Sequence, residues 1–233
     1  MRKLICILGA FALITLPASA GPKAKLSKKE KADGWKLLFN GKNLDGWRTY
    51  IADGEIGEGW VVEDGMLVKQ AAIGGGNIMT TGTYNDFEFK WEWNIATAGN
   101  NGVKYMILEE RKKTIGHEYQ LLDDDGHPDG KNGIDRQVAS FYDVLPPADD
   151  KPSRNPGDWN TSRILVKGHH VEHWLNGAKV LEYECGSQRV LKAVQDSKFR
   201  NVEGFGEKVR GHILLTDHKD ECKFRNLKIR ALD

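Results

Sequence analysis

The residues of this chain that are best suited to chemistry lie inside segments that otherwise have the pattern of ordinary strands. One such segment is His117-Glu118-Tyr119-Gln120, in which Glu118 and Gln120 share a face because side chains alternate along a strand. A carboxylate beside an amide suits the hydroxyl groups of a sugar. The alternative interpretation is an exposed polar strand face that binds nothing.

A second group of polar and aromatic residues recurs between residues 157 and 226. A strand needs apolar residues on one face only, so these His, Trp and Asn residues exceed what folding requires and indicate a bound ligand. Strand histidines are more often structural than catalytic, but His173 and His218 stand beside polar residues near predicted strand ends. The adjacency of Asp217 and His218 is not evidence of a catalytic pair, because neighbours along a strand face opposite sides.

An oxygen-rich loop follows the first motif and is the candidate metal site. It reads Asp123-Asp124-Asp125-Gly126-His127-Pro128-Asp129-Gly130, and its carboxylates among glycines could bind calcium or a transition metal through Asp123, His127 and Asp129. It lacks the spacing of a helix-flanked calcium loop, and none of the seven histidines has a zinc-motif spacing. A solvated acidic turn is the alternative.

Aromatic side chains offer a second way of holding a sugar. The chain has seven tryptophans, and most of them are expected in the core. Trp159, after a proline-rich segment, and Trp174 are the two that we expect to reach a ligand. No nucleophile elbow and no glycine-rich nucleotide turn is present in the sequence.

The N-terminus predicts export. Arg2-Lys3 precedes an apolar run over residues 4–16, and Pro17-Ala18-Ser19-Ala20 supplies the small residues of a signal-peptide cleavage site. We therefore expect residues 1–20 to be a signal peptide and the mature protein to be periplasmic or secreted, without a transmembrane segment. Residues 21–33 are expected to be a basic, solvated tether, and residues 34–233 a single domain.

Charge and cysteine content narrow the class of partner. The 34 Lys and Arg residues nearly balance the 33 Asp and Glu residues, so nothing in the net charge favours nucleic acid. The mature chain would keep Cys185 and Cys222, and an exported protein can hold a disulfide. Both a bridge and two separate thiols are open at this stage.

The elements that must position these residues are strands. Short apolar alternations are separated by turns, with Asp64-Gly65 and Asn176-Gly177 marking tight hairpins and residues 87–93 alternating strictly. One short helix is predicted over residues 187–194, and the four prolines within residues 142–157 predict a long loop. The fold class is all-β, a two-sheet antiparallel β-sandwich or jelly roll.

Several motifs resemble the 3-keto-disaccharide hydrolase family, formerly a domain of unknown function, over residues 34–232. They fall in the family's order: Leu38-Phe39-Asn40-Gly41-Lys42-Asn43-Leu44-Asp45-Gly46-Trp47, Gly99-Asn100-Asn101-Gly102-Val103, Glu118-Tyr119-Gln120-Leu121-Leu122-Asp123, His127-Pro128-Asp129-Gly130, Trp159-Asn160-Thr161, His173-Trp174-Leu175-Asn176-Gly177, Ser197-Lys198-Phe199 and Gly211-His212-Ile213. The resemblance implies a concanavalin A-like sandwich with a sugar site on its concave sheet.

The resemblance also implies a chemistry, the cleavage of glycosides whose 3-hydroxyl a partner oxidoreductase has oxidised to a ketone. Such a ketone acidifies the C2 hydrogen, so a general base can start an elimination that expels the C1 substituent before water adds. We expect Glu118 or His173 to be the base and His218 the acid. Gln120, Asn176 or a metal near Asp123 would stabilise the enolate.

The remaining substrate contacts expected from the matching motifs are Asn101, Trp159, Trp174 and Asp217. The chain departs from the family at Thr216-Asp217-His218-Lys219, where glutamine and glycine are common at the first and last positions. This change bears on substrate specificity more than on the fold.

Two other functions compete with this interpretation. A non-catalytic carbohydrate-binding module or lectin is the first, because this class of sandwich hosts many binders. A conventional glycosidase is the second, and it needs two carboxylates about 5–10 Å apart. Glu118 and Asp123 are the obvious pair, but their opposite strand parity disfavours it.

Overall fold

The computed structural model describes residues 24–50 and 54–232, and within them the chain forms two antiparallel sheets. In chain order the strands are β1 (Lys36–Leu37), β2 (Trp47–Thr49), β3 (Trp60–Glu63), β4 (Met66–Lys69), β5 (Ile78–Thr80), β6 (Phe87–Ile95), β7 (Asn100–Ile107), β8 (His117–Leu122), β9 (Asn160–Lys167), β10 (His170–Leu175), β11 (Ala178–Glu184), β12 (His212–Leu215) and β13 (Cys222–Ala231). The α-helices are α1 (Lys28–Ala32) and α2 (Gln188–Asp196), and short 3₁₀ helices span Glu109–Arg111, Pro128–Lys131 and Ile134–Arg136.

The larger sheet has eight strands in the order β11-β10-β9-β6-β13-β4-β3, with β1 also paired to β13. The smaller sheet has five strands in the order β2-β5-β12-β7-β8. Their facing sides enclose the core, so the predicted all-β sandwich is confirmed. Strand β7 lies between β12 and β8, which places the motifs of the smaller sheet side by side.

The core is built mainly from alternate residues of the central strands. In β6, Phe87, Phe89, Trp91 and Trp93 are each at most 2% exposed. The ring of Trp91 packs edge-on against Tyr119 of β8 with 5.1 Å between centroids, which joins the two sheets. Removing one such aromatic ring from water stabilises the fold by about 2–3 kcal/mol.

Both predicted hairpins are confirmed by their backbone angles. Asp64 and Gly65 have φ values of 48° and 77°, and Asn176 and Gly177 have values of 46° and 90°. A two-residue turn needs both of its central residues in this left-handed region, which the Asp-Gly and Asn-Gly pairs accept.

The one predicted helix is also confirmed. It begins after Ser187, whose hydroxyl accepts a hydrogen bond from the Val190 amide at 3.3 Å, and it ends at Asp196. Residues 142–157 contain no named helix or strand, as the prolines predict, and only an isolated bridge joins Phe141 to Leu145 at their start.

The segment before the sandwich differs in part from the predicted tether. The predicted signal peptide, residues 1–20, lies outside the described residues, but Lys28–Ala32 form a helical turn that Ser27 caps. Glu30 accepts a hydrogen bond from Lys228 of β13 at 2.8 Å, so this turn is tied to the larger sheet. Among the described residues no helix has the length and apolar character needed to cross a membrane.

The two cysteines that the sequence left open are separate buried thiols. Cys185 follows β11 and Cys222 begins β13, and neither forms a disulfide. Burial raises the pKa of both thiols, that of Cys185 to about 12, so both stay protonated near neutral pH.

Candidate active site

The outward face of β7 and β8 carries the polar residues expected from the first motif. Lys104 lies opposite Glu118 in the strand register, and Gly102 lies opposite Gln120. The intervening residues Val103, Tyr105, Tyr119 and Leu121 are fully buried in the core. Because side chains alternate, the polar set points away from the core on the other side of the smaller sheet.

Gly102 makes room for the Glu118 carboxylate. A Cβ atom at this position would lie 2.1 Å from Glu118 Oε1. The backbone angle of Gly102 is not unusual, so this close approach, and not backbone freedom, requires glycine here. The carboxylate therefore lies directly over the β7 backbone.

Glu118 and Gln120 form the floor of the site. Glu118 is 5% exposed and Gln120 is 1% exposed. Lys104 Nζ lies 3.5 Å from Glu118 Oε2 and donates to the Thr114 carbonyl at 3.2 Å. Gln120 Nε2 is 3.4 Å from Asn100 Oδ1, which keeps the amide on the same face.

His218 stands at the rim of this floor, on the loop that follows β12. Its side chain is exposed, yet desolvation lowers the pKa of the imidazole from its ordinary value. Lys104 and His127 lower that pKa further, whereas Glu118 and Asp220 raise it. The charges of Glu118 and Lys104 therefore act directly on the His218 ring.

Lys198 forms the other side of the rim, immediately after α2. Its backbone amide donates to Asp143 Oδ2 at 2.8 Å, and its Nζ lies 4.1 Å from the centre of the Tyr142 ring. Desolvation lowers the pKa of the Lys198 amine, and Glu118 and Asp143 raise it. We call Lys104, Glu118, Gln120, Lys198 and His218 the Glu118 cluster.

The order of strands explains why these distant segments meet. The loop after β12 reaches the site because β12 pairs with β7, and residues 141–145 reach it because Tyr142 donates its backbone N–H to the Glu118 carbonyl at 3.1 Å. Tyr142 also donates its hydroxyl to Asp129 at 2.7 Å. The cluster thus combines a buried carboxylate with the exposed side chains of His218 and Lys198, whose pKa values respond to it.

Comparison with known proteins identifies the family. Residues 34–230 match the sequence profile of the 3-keto-alpha-glucoside-1,2-lyase-like domain. The chain belongs to this family. It is 34% identical over 235 residues to a 3-keto-disaccharide hydrolase of Bacteroides thetaiotaomicron, which covers 87% of this chain and 80% of that protein.

Solved structures give the same assignment for the fold. A Parabacteroides distasonis protein classed as a glycosyl hydrolase superimposes with a TM-score of 0.82 at 34% identity, covering 91% of this chain and all of that one. A second protein of that organism and class gives a TM-score of 0.66 at 28% identity, covering 85% of this chain and 99% of that one.

Of the catalytic residues expected from the resemblance to this 3-keto-alpha-glucoside-1,2-lyase-like family, Glu118 and His218 are brought together and His173 is not. His173 is fully buried between the sheets, where Nδ1 donates to the Ala139 carbonyl at 2.9 Å and Nε2 accepts from Tyr105 at 2.7 Å. Burial lowers its pKa to about 4, although the bond to Ala139 opposes this shift. This imidazole has no contact with the outward face and belongs to the core.

His173 ends a buried chain of hydrogen bonds. The Tyr105 hydroxyl is 2.6 Å from that of Tyr183, which is 2.9 Å from Nδ1 of His117. Since Tyr105 donates to His173, Tyr183 can donate to Tyr105 and His117 can donate to Tyr183. Each of these three contacts then has one donor and one acceptor. Burial lowers the pKa of His117 to about 3, in keeping with two neutral imidazoles.

Two of the residues expected to contact substrate, Asn101 and Asp217, instead form hydrogen bonds to the backbone around the site. Asn101 is buried, donates to the Thr216 carbonyl at 3.0 Å and accepts from the Gly102 amide at 2.9 Å. Asp217 accepts from the amides of Gly75-Gly76 at 2.7 and 2.8 Å and lies 2.9 Å from the buried amine of Lys69. Both residues sit beside the cluster and fix its backbone.

The other three expected contacts lie on the larger sheet. Trp159 packs against the Arg225 guanidinium at 3.8 Å, and Trp174 packs against that of Arg163 at 4.1 Å. Asn176 is held in its hairpin by hydrogen bonds to residues 152, 160 and 161. Gln120 is the sixth expected contact, and it alone of the six belongs to the cluster.

The expected metal ligands are not gathered around one point. Asp123 accepts from the amides of Ala98 and Gly126 at 2.7 and 3.0 Å, which closes its own loop. His127 Nδ1 accepts from the Asp129 amide at 3.1 Å, and Asp129 itself pairs with Tyr142 and an arginine. Within residues 24–50 and 54–232, the donors that do converge are elsewhere, on β10 and β11.

Lys104 and Lys198 are members of the cluster that the sequence interpretation did not single out. Lys198 falls in Ser197-Lys198-Phe199, a matching motif to which we assigned no role. Lys104 is two residues after Gly102 and so points to the same face of β7. The sequence alone does not give the register of β7 against β8, and that register is what places Lys104 opposite Glu118.

Proposed function

We propose that this protein cleaves the glycosidic bond of 3-keto-glycosides by elimination followed by hydration. The observation that carries the proposal is the buried Glu118 carboxylate, which is close enough to the exposed side chains of His218 and Lys198 to raise the pKa of each. Membership of a family with a 3-keto-disaccharide hydrolase supports a carbohydrate hydrolase, and the cluster supports the finer mechanism.

The chemistry proceeds in balanced steps. A base removes the C2 proton, which the adjacent C3 ketone acidifies, and the electron pair is held on the ketone oxygen as an enolate. Collapse of the enolate forms a C1–C2 double bond, breaks the bond from C1 to the glycosidic oxygen, and restores the ketone. An acid protonates the departing oxygen, and water then adds to C1 while C2 regains a proton.

Glu118 is the base in this proposal. Its carboxylate is fixed by the strand and by the space over Gly102, and Lys104 lies 3.5 Å from one of its oxygens. A base that starts in a defined position can meet the C2 hydrogen without reorganising. The other oxygen points to the side on which Gly102 leaves no Cβ.

His218 is the acid, and the lysines and Gln120 stabilise the enolate. A lowered pKa makes the imidazolium of His218 a stronger proton donor to the departing oxygen. The exposed Lys198 amine would donate to the ketone oxygen, and Gln120 would donate its side-chain amide from the floor of the site. These roles need no metal ligand from Asp123, His127 or Asp129.

The cluster favours elimination over a conventional two-carboxylate mechanism. Asp123, the second carboxylate considered above, is only 8% exposed and is bound to backbone amides of its own loop. Asp129 and Asp143, which lie near the rim, both pair with Arg136. A retaining or inverting glycosidase would need a free second carboxylate.

The N-terminal sequence supports the remaining parts of the proposal. A basic, apolar and small-residue pattern over residues 1–20 favours export to the periplasm or the medium. A 3-keto-glycoside does not arise by hydrolysis, so an oxidoreductase that oxidises a sugar at C3 must supply the substrate. That enzyme is the functional partner that we propose.

The test is hydrolysis in D₂O of matched glycosides that differ only in having a hydroxyl or a ketone at C3, followed by mass spectrometry. Elimination and hydration put one deuterium at C2 of the released sugar, whereas direct hydrolysis puts none there. The released sugar alone in D₂O is the control for exchange without enzyme. Parallel arms with chelator and with added divalent metal test a metal requirement.

Each outcome separates one of the rival functions. Cleavage of the keto substrate alone, with deuterium at C2, supports the proposal. Cleavage of both substrates without deuterium indicates a conventional glycosidase, and sugar binding without any cleavage indicates a lectin. Either of the last two results would overturn the proposal.

A further inference from the structure

Asn77, which directly precedes β5, forms hydrogen bonds to two loops that border the Glu118 cluster. Its Oδ1 accepts a hydrogen bond from the Asp217 amide at 2.8 Å, and its Nδ2 donates to Thr114 Oγ1 at 3.1 Å. A backbone amide can only donate, so the bond to Asp217 also fixes which end of the Asn77 side chain carries the oxygen. This half-buried side chain thus joins one loop to the other.

The bond to Asp217 anchors the loop that carries His218. It reaches the backbone of Asp217, one residue before His218. The carboxylate of Asp217 in turn accepts from the Lys219 amide at 2.9 Å, which closes a turn around His218. Asn77 therefore holds the residue that fixes the backbone on both sides of the proposed acid.

The bond to Thr114 leads to the proposed base. Thr114 lies in the connection between β7 and β8, and its carbonyl accepts from Lys104 Nζ at 3.2 Å. That amine lies 3.5 Å from Glu118 Oε2. Three polar contacts therefore connect Asn77 to the Glu118 carboxylate.

The Lys104 amine depends on this support because its stem is flexible. The side chain is 18% exposed, and a strongly hydrated ammonium group on four rotatable carbons turns readily to water. Within residues 24–50 and 54–232, the amine contacts only the Thr114 carbonyl and the Glu118 carboxylate. A donor that stabilises an enolate works best when it is fixed in advance, because it then needs no reorganisation in the transition state.

We propose that Asn77 is a positioning residue that sets the spacing between His218 and Glu118. The inference rests on the proposed function, because this spacing matters when an acid and a base act on the same substrate. Asn77 acts through the loops that it joins and not by contact with the substrate. Asparagine suits this task because its side chain offers both an acceptor and a donor.

The test measures kcat and KM for a 3-keto-glycoside in Asn77→Ala, Thr114→Val and Thr114→Ser. Asn77→Ala should lower kcat by about 10–100-fold and change KM by less than about threefold, because a shift of about one ångström between catalytic groups is that costly. Thr114→Val removes the hydroxyl and should show a smaller loss of the same kind, whereas Thr114→Ser should retain activity. In the double variant the losses should not add, since both substitutions break the same contact.

A second readout follows the His218 imidazole and does not depend on activity. Burial lowers the pKa of this ring most, and the charges of Glu118 and Lys104 also act on it. All three influences depend on where the loop lies. Asn77→Ala should therefore move this pKa toward the ordinary value of about 6.5, which NMR titration of the ring measures.

Asn94→Ala is the matched control. Asn94 is also half-buried and donates its side-chain amide to a backbone carbonyl, but it lies on β6 of the larger sheet. This variant should change neither readout. Circular dichroism establishes that each variant folds, and Thr114→Val carries the test if Asn77→Ala does not fold.

Three results would overturn the proposal. They are an unchanged kcat together with an unchanged His218 pKa in Asn77→Ala, a rise in KM alone, and losses that add in the double variant. The proposed function fails separately. If the wild-type chain did not cleave the keto substrate, a shifted His218 pKa in Asn77→Ala would still support the positioning role, and an unshifted pKa would overturn it.

Discussion

The two sheets each carry a polar surface, but these surfaces differ in how their charges are used. On the larger sheet a groove of about 380 Å³ is lined by residues that include Trp174, Arg163 and Glu92. Arg163 bonds Glu88 and Glu172 at 3.0 and 3.2 Å, and Glu92 is held by an arginine at 2.7 Å. Its charges neutralise one another within the protein.

The Glu118 cluster leaves two of its titratable side chains, His218 and Lys198, exposed to solvent. Glu118 has a lysine nitrogen at 3.5 Å, and its charge contributes to the shifted pKa values of His218 and Lys198. A site that moves protons needs groups that are positioned but not fully paired. We therefore expect the reactive groups in the Glu118 cluster and not in the groove, and the following variants test this expectation.

The largest expected effect is the loss of the base. Glu118→Gln should lower kcat/KM for a 3-keto-glycoside by about 10²–10⁴-fold, because an amide cannot take the C2 proton. Glu92→Gln, the same change in the groove, should alter it by less than about threefold. Steady-state kinetics on both variants checks this, and equal losses would remove the distinction between the two surfaces.

The space over Gly102 gives a second, subtler way to displace the base. Gly102→Ala should lower kcat/KM by about 10²-fold, since its methyl group would meet the carboxylate and a shift of an ångström is that damaging. Gly82→Ala, whose methyl group would meet only a tyrosine hydroxyl at 3.8 Å, is the matched control. Full activity of Gly102→Ala would mean that the carboxylate position is unimportant.

The role of His218 is visible in its dependence on the leaving group. His218→Ala should slow the release of an alkyl alcohol by about 10–10²-fold but barely slow that of a nitrophenol, which departs without a proton. A series of aglycones of graded acidity measures this. An equal loss across the series would show that His218 does not act as the acid.

The buried histidines should control stability and not catalysis. Because His117 and His173 have pKa values of about 3 and 4 in the fold and ordinary values near 6.5 when unfolded, the unfolded chain binds more protons between those limits. Their contribution is therefore complete above about pH 6.5 and falls with pH, by about 2 kcal/mol for each histidine between pH 7 and 5. Urea unfolding at several pH values measures it.

A variant isolates that contribution from other titrating groups. His173→Gln should reduce the pH dependence of the unfolding free energy over this range, whereas His169→Ala, at an exposed position, should leave it unchanged. An unaltered slope in His173→Gln would show that this imidazole is not held neutral.

The smallest expected effect concerns the groove. Trp174→Ala should change kcat/KM by less than about twofold, because the ring is engaged with Arg163 and not with the cluster. A large rise in KM would instead show that the substrate extends over the larger sheet. The two surfaces would then be parts of one site.

The sequence was sufficient for the class of fold and for three of the five residues of the Glu118 cluster. Asp-Gly and Asn-Gly pairs favour tight hairpin turns, so both hairpins could be predicted from the sequence. The strict alternation of β6 shows which of its residues face the core. Glu118 and Gln120 were placed on one face by the same alternation. His218 comes close to that face only because β12 pairs with β7, and the sequence pattern does not predict which distant strands pair.

His173 was expected to be a catalytic residue because of its type, but it lies in the core. Val171 and Leu175 share its parity, so the alternation already placed it on the apolar face, but its polar character drew attention first. Lys104 was overlooked for the opposite reason, because an isolated lysine in an apolar strand has no motif. Cross-strand register, which only the structure supplies, makes it a neighbour of Glu118.

The anchoring of Asp217 ties the position of the His218 backbone to the alignment of the two sheets. Its carboxylate forms an ion pair with Lys69 of β4 and accepts hydrogen bonds from the amides of Gly75-Gly76. The backbone next to His218 is therefore held by the larger sheet as well as by β12. Glu118 lies on β8 of the smaller sheet. Under the proposed mechanism, sliding of one layer over the other would change the distance between the proposed acid and the proposed base, so residues such as Lys69 would affect that distance from outside the site.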